Sequence, residues 1–351
     1  MFDGPHHSET TPTERRARLR LARSARVGPI TFHEALAHFG SACAACATLA
    51  TVSEAAIERE ERALTALGGR FLVIGDAHYP ATLATLPDAP PVLSMLGDPG
   101  LLGRPILAIV GAREASLAGR RFAAELSSTL GAAGFVIASG LARGIDAAAH
   151  EAALDTGTVA VLACGVDQVY PPQNGPLQEA ISARGLILSE VAVGAPPLAR
   201  AFPRRNRIVS GLSAGIVVIE AAARSGSLIT AQRAAEQGRE VFVVPGSPMD
   251  PRYAGSNSLI KDGAILVRDA NDILNVLGYP KPTAQPVEKP AQISGDTDAA
   301  RVVLALGAVP TAVDELVRRC QVSAAFVAEV LMALELEGRL ERHRGNRVSL
   351  I

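Results

Sequence analysis

A chain of 351 residues, 48% of them hydrophobic, can bury a large core and has room for one sizeable domain with one or two small ones. Its 34 Lys and Arg balance 35 Asp and Glu, so overall charge argues for no polyanionic partner and only local clustering of cations can do so. No run of about 18 apolar residues occurs and the polar, Arg-rich N-terminus has no apolar signal core, which argues against a helical membrane span or a secretory signal and makes the cytoplasm the expected compartment.

Four cysteines, Cys43, Cys46, Cys164 and Cys320, are too few and too scattered for a disulfide framework. Cys43 and Cys46 form a Cys-x-x-Cys, but in an Ala-rich, helix-like stretch with no second pair, and they read as buried small residues rather than as a redox or metal site. The cations are almost all Arg, with Lys only at 261, 281 and 289. Arg suits bidentate phosphate contact, although genome composition would give the same bias.

In chain order, residues 1–13 form a polar tail. Residues 14–70 hold short helical patterns that begin in an Arg-rich stretch and are punctuated by Val27-Gly28-Pro29 and Phe39-Gly40-Ser41. Helix, glycine turn and helix at this size predict a small SAM-like or helix-hairpin-helix domain, which either touches phosphates through backbone N–H groups or serves as a packing module. Residues 71–279 change character. Continuous apolar runs at 106–110, 135–138, 158–162, 186–188, 216–219, 241–244 and 265–267 alternate with amphipathic helices. Runs of this kind are parallel strands buried on both faces, so the predicted fold is α/β, an extended Rossmann-like, doubly wound, mostly parallel sheet. The stretch 71–103 is expected to add one leading strand and its connections. Residues 280–296, with Pro280, Pro282, Pro286 and Pro290, have linker composition. Residues 297–351 read as three helices (299–306, 313–319 and 323–337) and a β wing about Gly345-Asn346, the outline of a winged helix.

In an open parallel sheet, ligands gather where the strand carboxyl ends lead into helix N-termini. Three loops fit: Gly111-Ala112-Arg113 through Ser116 to Gly119; Ser139-Gly140-Leu141-Ala142-Arg143-Gly144; and Ser225-Gly226-Ser227 ahead of Thr230. Each combines glycine with a hydroxyl or guanidinium that can hydrogen-bond a phosphate. Neither Gly-x-Gly-x-x-Gly nor a Walker-type Gly-x-x-x-x-Gly-Lys-Ser/Thr is present, so NAD binding and ATP hydrolysis have no motif support. Close helix–strand packing also demands glycine, but three such loops on one sheet edge favour an extended anionic ligand. The most informative segment is Arg200-Ala201-Phe202-Pro203-Arg204-Arg205-Asn206-Arg207, cations around one aromatic, as stacked bases and their phosphates require. The bland alternative makes Phe202 a core cap and the arginines a solvated helix start. Asp146 and His150 share a helix face and either hydrogen-bond each other or form part of a site; Glu190 and Glu220 stand at strand ends. No nucleophile or metal-ligand spacing accompanies them, so no catalytic residue, cofactor or metal is assigned.

The series Ile109-Val110-Gly111-Ala112-Arg113, Ser139 to Asp146 with His150, Tyr170-Pro171, Ser189-Glu190, Phe202 to Ile208, Ser225 to Ala231, Gly238 to Phe242 and Val244 to Ser247 resembles, in order and spacing, the DNA-processing protein A (Smf) family. The resemblance implies a non-catalytic protein that binds incoming single-stranded DNA during natural transformation, protects it and helps load the RecA recombinase. It also implies that Arg113 grips a phosphate, Phe202 stacks on a base, Arg205 and Arg207 line the same basic pocket, and the Ser139-Gly140 and Ser225-Gly226-Ser227 loops supply backbone donors. By the same resemblance a homodimer forms through the end of the sheet domain, here Leu259-Ile260 through Leu266, residues that serve equally well to complete the core. Two departures from the family pattern are Ala112, where a hydroxyl residue is common, and the absence of Lys before Phe202.

The third helix of the winged helix carries Glu329, Glu335 and Glu337 and no basic residue until Arg339, which points to protein contact over duplex reading; Arg342, Arg344 and Arg347 leave weak phosphate contact by the wing. Two competing readings remain. One is a nucleotide phosphoribohydrolase of the lysine-decarboxylase-like family, whose loop glutamate is replaced here by Thr230; the other is a ligand-sensing winged-helix regulator, which the acidic helix opposes.

Overall fold

The computed structural model describes residues 11–280, 297–307 and 310–350, in two compact units on either side of 281–296. Most of the polar tail and nearly all of the proline-rich linker therefore lie outside the described residues.

The N-terminal helices are α1 (Pro12–Ala22), α2 (Pro29–Phe39), α3 (Ala42–Thr48) and α4 (Glu54–Ala66). Their starts follow capping chemistry: the hydroxyls of Thr11, Ser41 and Ser53 each accept a backbone N–H three residues on. Gly28-Pro29 opens α2, with proline at a position whose N–H has no helical partner. Leu21, Phe32, Ala42 and Ala45 are fully buried between the helices. Cys43 and Cys46 are half-buried here, and burial pushes both thiols above their ordinary pKa. The α1 guanidiniums dock this domain on the next: Arg15 donates to Phe71 O at 2.7 Å and Arg18 to Ile74 O at 2.6 Å.

The sheet domain runs β1 (Arg70–Val73), α5 (Ala81–Ala84), β2 (Val92–Gly97), β3 (Ile106–Gly111), α6 (Leu117–Ala132), β4 (Val136–Ser139), α7 (Ile145–Ala153), β5 (Thr158–Leu162), α8 (Gly175–Arg184), β6 (Leu186–Ser189), α9 (Ala201–Leu212), β7 (Gly215–Ile219), α10 (Gly226–Glu236), β8 (Glu240–Val243), α11 (Ala254–Lys261), β9 (Ile265–Leu266) and α12 (Ala270–Leu277). The strand order is β1-β2-β6-β5-β4-β3-β7-β8-β9, parallel from β6 to β9, with β1 and β2 antiparallel at one edge. The leading segment thus contributes two strands where one was expected. Alternate residues of each strand feed opposite layers, as the pleat dictates. β3 sends Ala108 and Val110 into the layer with α9 and α10, and Leu107 and Ile109 into the layer with α6, α7 and α12. The chain adds β4, β5 and β6 on one side of β3, then crosses back to place β7 on the other. This reversal at β3 and β7 opens a crevice at their carboxyl ends.

The C-terminal unit consists of α13 (Thr297–Ala305), β10 (Thr311–Ala312), α14 (Val313–Cys320), α15 (Ala324–Leu336), β11 (Leu340–His343) and β12 (Arg347–Leu350). Its strands pair in the order β10-β12-β11 beside a core of Val302, Leu316, Val327, Leu331 and Val348. This is a winged helix. Glu335 of α15 pairs with Arg342 of β11 at 2.9 Å, so part of the wing's positive charge is answered by α15, and Glu337 pairs with Arg339 at 3.0 Å in the turn between them.

Candidate nucleic-acid interface

The crevice at the strand switch holds a cleft of about 620 Å³. It is lined by Gly111, Ala112 and Arg113 after β3, Gly140 and Arg143 after β4, Phe202, Arg205 and Asn206 on the first turns of α9, and Ser225, Gly226, Ser227 and Thr230 at the start of α10. The three glycine loops and the arginine cluster, distant in sequence, therefore meet. Ile229, 45% exposed, adds an apolar patch to the rim. A second pocket, of about 230 Å³, continues toward the end of β5, between Leu141, Cys164, Tyr170 and the shared wall of Arg113, Gly140, Phe202 and Arg205.

Phe202 stands between the two. Pro203 occupies the first turn of α9, where the lost N–H costs no helical bond, and it holds the ring at the rim. The Phe202 ring lies 5.4 Å from that of Tyr170, inclined by 60°, and the Arg113 guanidinium sits over it, 5.7 Å from the centroid. Tyr170 is a site residue that the Tyr170-Pro171 motif alone does not assign. The available signal was its place in the loop after β5, a further loop on the same sheet edge.

Beneath this rim lies a buried polar floor. Arg205 donates to Gly140 O at 2.5 Å and to Val161 O, and its Nε to Asn206 Oδ1 at 3.2 Å. Asp146 Oδ2 accepts from the N–H groups of Gly140 at 3.1 Å and Ala142 at 3.3 Å, holding the β4–α7 loop from below. Burial raises the Asp146 pKa against the pull of Arg205, and burial lowers that of Arg205. Glycine at 140 leaves the space that the Arg205 guanidinium fills, since a Cβ there would overlap it. His150 does not meet Asp146. Its Nδ1 pairs with Thr158 Oγ1 at 2.7 Å, and burial, with Arg205 nearby, lowers its pKa to about 3, so the ring is neutral.

Other sequence-predicted residues lie outside this lining. Arg207 is the clearest correction: it is buried against the opposite side of α9, where it pairs with Glu190 at 2.5 Å and donates to Asp88 O. Arg204 turns to the same Glu190 at 3.4 Å, and Arg200 is exposed beyond the cleft. The Ser139 hydroxyl is fully buried and donates to Ile109 O at 2.6 Å. Gly144 starts α7 with its backbone against the Ala112 and Arg113 carbonyls. Ser116 and Gly119 face Glu220, which sequence reading left without a partner. Ser116 N donates to Glu220 Oε2 at 2.8 Å and the Ser116 hydroxyl bonds the same carboxylate, while a Cβ at Gly119 would meet it at 2.7 Å.

Among the described residues, no cluster of His, Cys, Asp and Glu could hold a metal, and no helix is long and apolar enough to cross a membrane. Arg113, Arg143 and Arg224, all exposed at the cleft, pair with no carboxylate among the described residues, whereas Arg204, Arg207, Arg233 and Arg252 nearby are paired. The site thus presents three unpaired arginines against one exposed carboxylate of the lining, Glu114, a net positive rim beside an aromatic pair and a helix N-terminus.

Residues 70–278 match the family model of the DNA recombination-mediator protein A, residues 280–346 the DprA winged helix domain, and residues 12–66 the DprA-like N-terminal HHH domain. Protein Smf of Escherichia coli is 39% identical over 280 residues, covering 78% of this chain and 75% of its own. The DNA processing protein DprA of Streptococcus pneumoniae is 45% identical over 206 residues, covering 58% of this chain and 72% of its own. The crystal structure of that protein superposes with a TM-score of 0.60 at 42% identity over 64% of this chain and 78% of the other. The Helicobacter pylori DNA processing protein A, whose structure concerns its single-stranded DNA binding mode, gives 0.56 at 32% identity over 60% and 97%. With all three domains matched in order and three quarters of the E. coli relative spanned, the chain belongs to the DNA processing protein A (Smf) family.

Proposed function

We propose that this protein binds single-stranded DNA in the switch-point cleft, in the processing of DNA taken up during transformation, and passes the held strand to the RecA recombinase without altering it covalently. The observation that carries the reading is the set of unpaired arginines, Arg113, Arg143 and Arg224, around the Phe202–Tyr170 pair. Phosphates need the cations, and only an unpaired strand can offer its base faces to the rings. The first turn of α10, from Gly226, adds backbone N–H groups at the positive end of a helix dipole. The binding mode described for the H. pylori relative agrees with this choice of ligand. Against a glycosidic hydrolase, the Thr230 hydroxyl turns back to Gly226 O at 3.5 Å and Asp146 is committed to the loop backbone, which leaves Glu114, exposed on the β3–α6 loop, as the other carboxylate of the lining. The test is fluorescence anisotropy with labelled single-stranded and duplex DNA of equal length across a salt series, without nucleotide or metal. Salt-sensitive preference for the single strand is expected; duplex preference or no binding overturns the reading.

The protein is further proposed to act as a homodimer through the sheet end that carries β9. Leu259 and Ile260 are half-buried and pack on the core, whereas Leu266 is 43% exposed on a two-residue edge strand beside them. As the edge strand of the sheet, β9 leaves one row of backbone groups for a second copy to pair with, and Leu266 stands beside that row. Leu266→Glu is expected to leave the fold intact and halve the mass seen by light scattering; an unchanged dimer would move the contact elsewhere.

A further inference from the structure

We infer that Tyr253 and Glu220 are positioning residues for Arg113, an inference that rests on the single-strand reading of the cleft. The β3–α6 loop, 112–116, is pinned at two ends. At the first, Ala112 N donates to Ile219 O at 3.3 Å and Ala112 O accepts from Ile145 N at 3.2 Å. At the second, Ser116 is held through its N–H and its hydroxyl by the carboxylate of Glu220, and the Ser116 hydroxyl accepts from Gly119 N at 2.9 Å. Arg113, which covers the Phe202 ring, lies between these pins with an exposed side chain.

The second pin is unusual in its construction. Glu220 is fully buried, yet it directly follows β7 at φ 53°, in the left-handed region that a non-glycine residue enters at a cost. A strained, buried carboxylate needs donors, and Ser116 supplies two. Among the described residues the third donor is the hydroxyl of Tyr253, at 3.0 Å from Glu220 Oε1. Tyr253 comes from a different part of the chain, the turn that leads into α11, and its ring is fitted against Gly246, where a Cβ would overlap it. The turn is itself bound to the end of β7, since Gly255 N and Ser256 N donate to Ala221 O and the Ser256 hydroxyl accepts from Ala221 N at 2.8 Å. Tyr253 therefore aims Glu220, Glu220 holds Ser116, and Ser116 sets the far end of the loop that aims Arg113. Neither Tyr253 nor Glu220 lines the cleft, so their effect on a bound strand passes through the loop.

The test is Tyr253→Phe, which removes one hydroxyl and keeps the ring against Gly246. Affinity for labelled oligo(dT) is expected to fall by about three- to tenfold, the range of a single hydrogen bond, with the salt dependence unchanged because no cation is lost. In an Arg113→Ala background the same substitution is expected to have no further effect. Equal losses in both backgrounds, or no loss in either, would overturn the inference. Hydrogen exchange on the free protein decides the point without DNA: amides 113–117 are expected to exchange faster in Tyr253→Phe, and unchanged exchange there overturns the inference. If wild-type protein fails to bind oligo(dT), the single-strand reading falls, while exchange still reports whether Tyr253 sets the loop.

Discussion

Phe202→Ala is expected to weaken binding of single-stranded DNA by roughly 10- to 100-fold, since stacking of a base on an aromatic side chain contributes about 1–3 kcal/mol. The ring stands at the rim of the cleft against the Tyr170 ring and under the Arg113 guanidinium, so truncation removes the platform without opening the core. No charge is lost, and the slope of affinity against salt should stay as in the wild type; Arg113→Ala, by contrast, should flatten it by about one counterion. Phe202→Tyr keeps a stacking face and should retain most of the affinity. Anisotropy titrations at three salt concentrations give both quantities, and an unchanged Phe202→Ala affinity would remove the aromatic pair from the binding surface.

Arg205→Met should be the most damaging single change to stability among the cleft residues, costing about 2–5 kcal/mol, since it leaves two carbonyls beneath the cleft without their donor at about 1–3 kcal/mol each. The Arg205 guanidinium satisfies the carbonyls of Gly140 and Val161, and its charge offsets that of the buried Asp146 carboxylate. With methionine in its place, both carbonyls lose a donor and Asp146 loses its countercharge. The thermal midpoint of the sheet domain should fall by on the order of 10 °C. Adding Asp146→Asn removes the stranded charge, and the double variant should recover part of the loss. A change under about 1 kcal/mol for Arg205→Met would mean that solvent reaches the two carbonyls and supplies what the arginine supplied.

Both predictions concern residues of one short segment, and that segment marks where sequence reading stops. The cluster from Arg200 to Arg207 announces cations around an aromatic, yet its arginines part company in the fold: Arg205 goes under the cleft floor, Arg207 to Glu190 on the other side of α9, and Arg204 to the same glutamate near the surface. Two residues along a helix turn a side chain through more than half a circle. Which arginine faces the cleft depends on how α9 lies on the sheet, a rotation that composition does not contain.

Much else was legible. Strands β3 to β9 stand where continuous Val, Ile and Leu runs predicted them, because a parallel strand inside the sheet is covered on both faces and has no polar side to show, and only the short edge strand β9 departs from this. The glycine loops after β3 and β4 and ahead of α10 reach one sheet edge because parallel strands place their carboxyl ends together. The leading segment was underestimated, its strands Arg70–Val73 and Val92–Gly97 being short and set among prolines and glycines. The sequence by itself determined the elements, the domain order and the chemical character of the cleft, since burial period, capping and turn chemistry act over a few neighbouring residues. Only the tertiary structure decided that Tyr170 meets Phe202, that Glu220 receives Ser116 and Tyr253, and that His150 turns to Thr158 instead of Asp146. Those partners come from different loops and strands, and the strand order that brings them together leaves no local period in the chain.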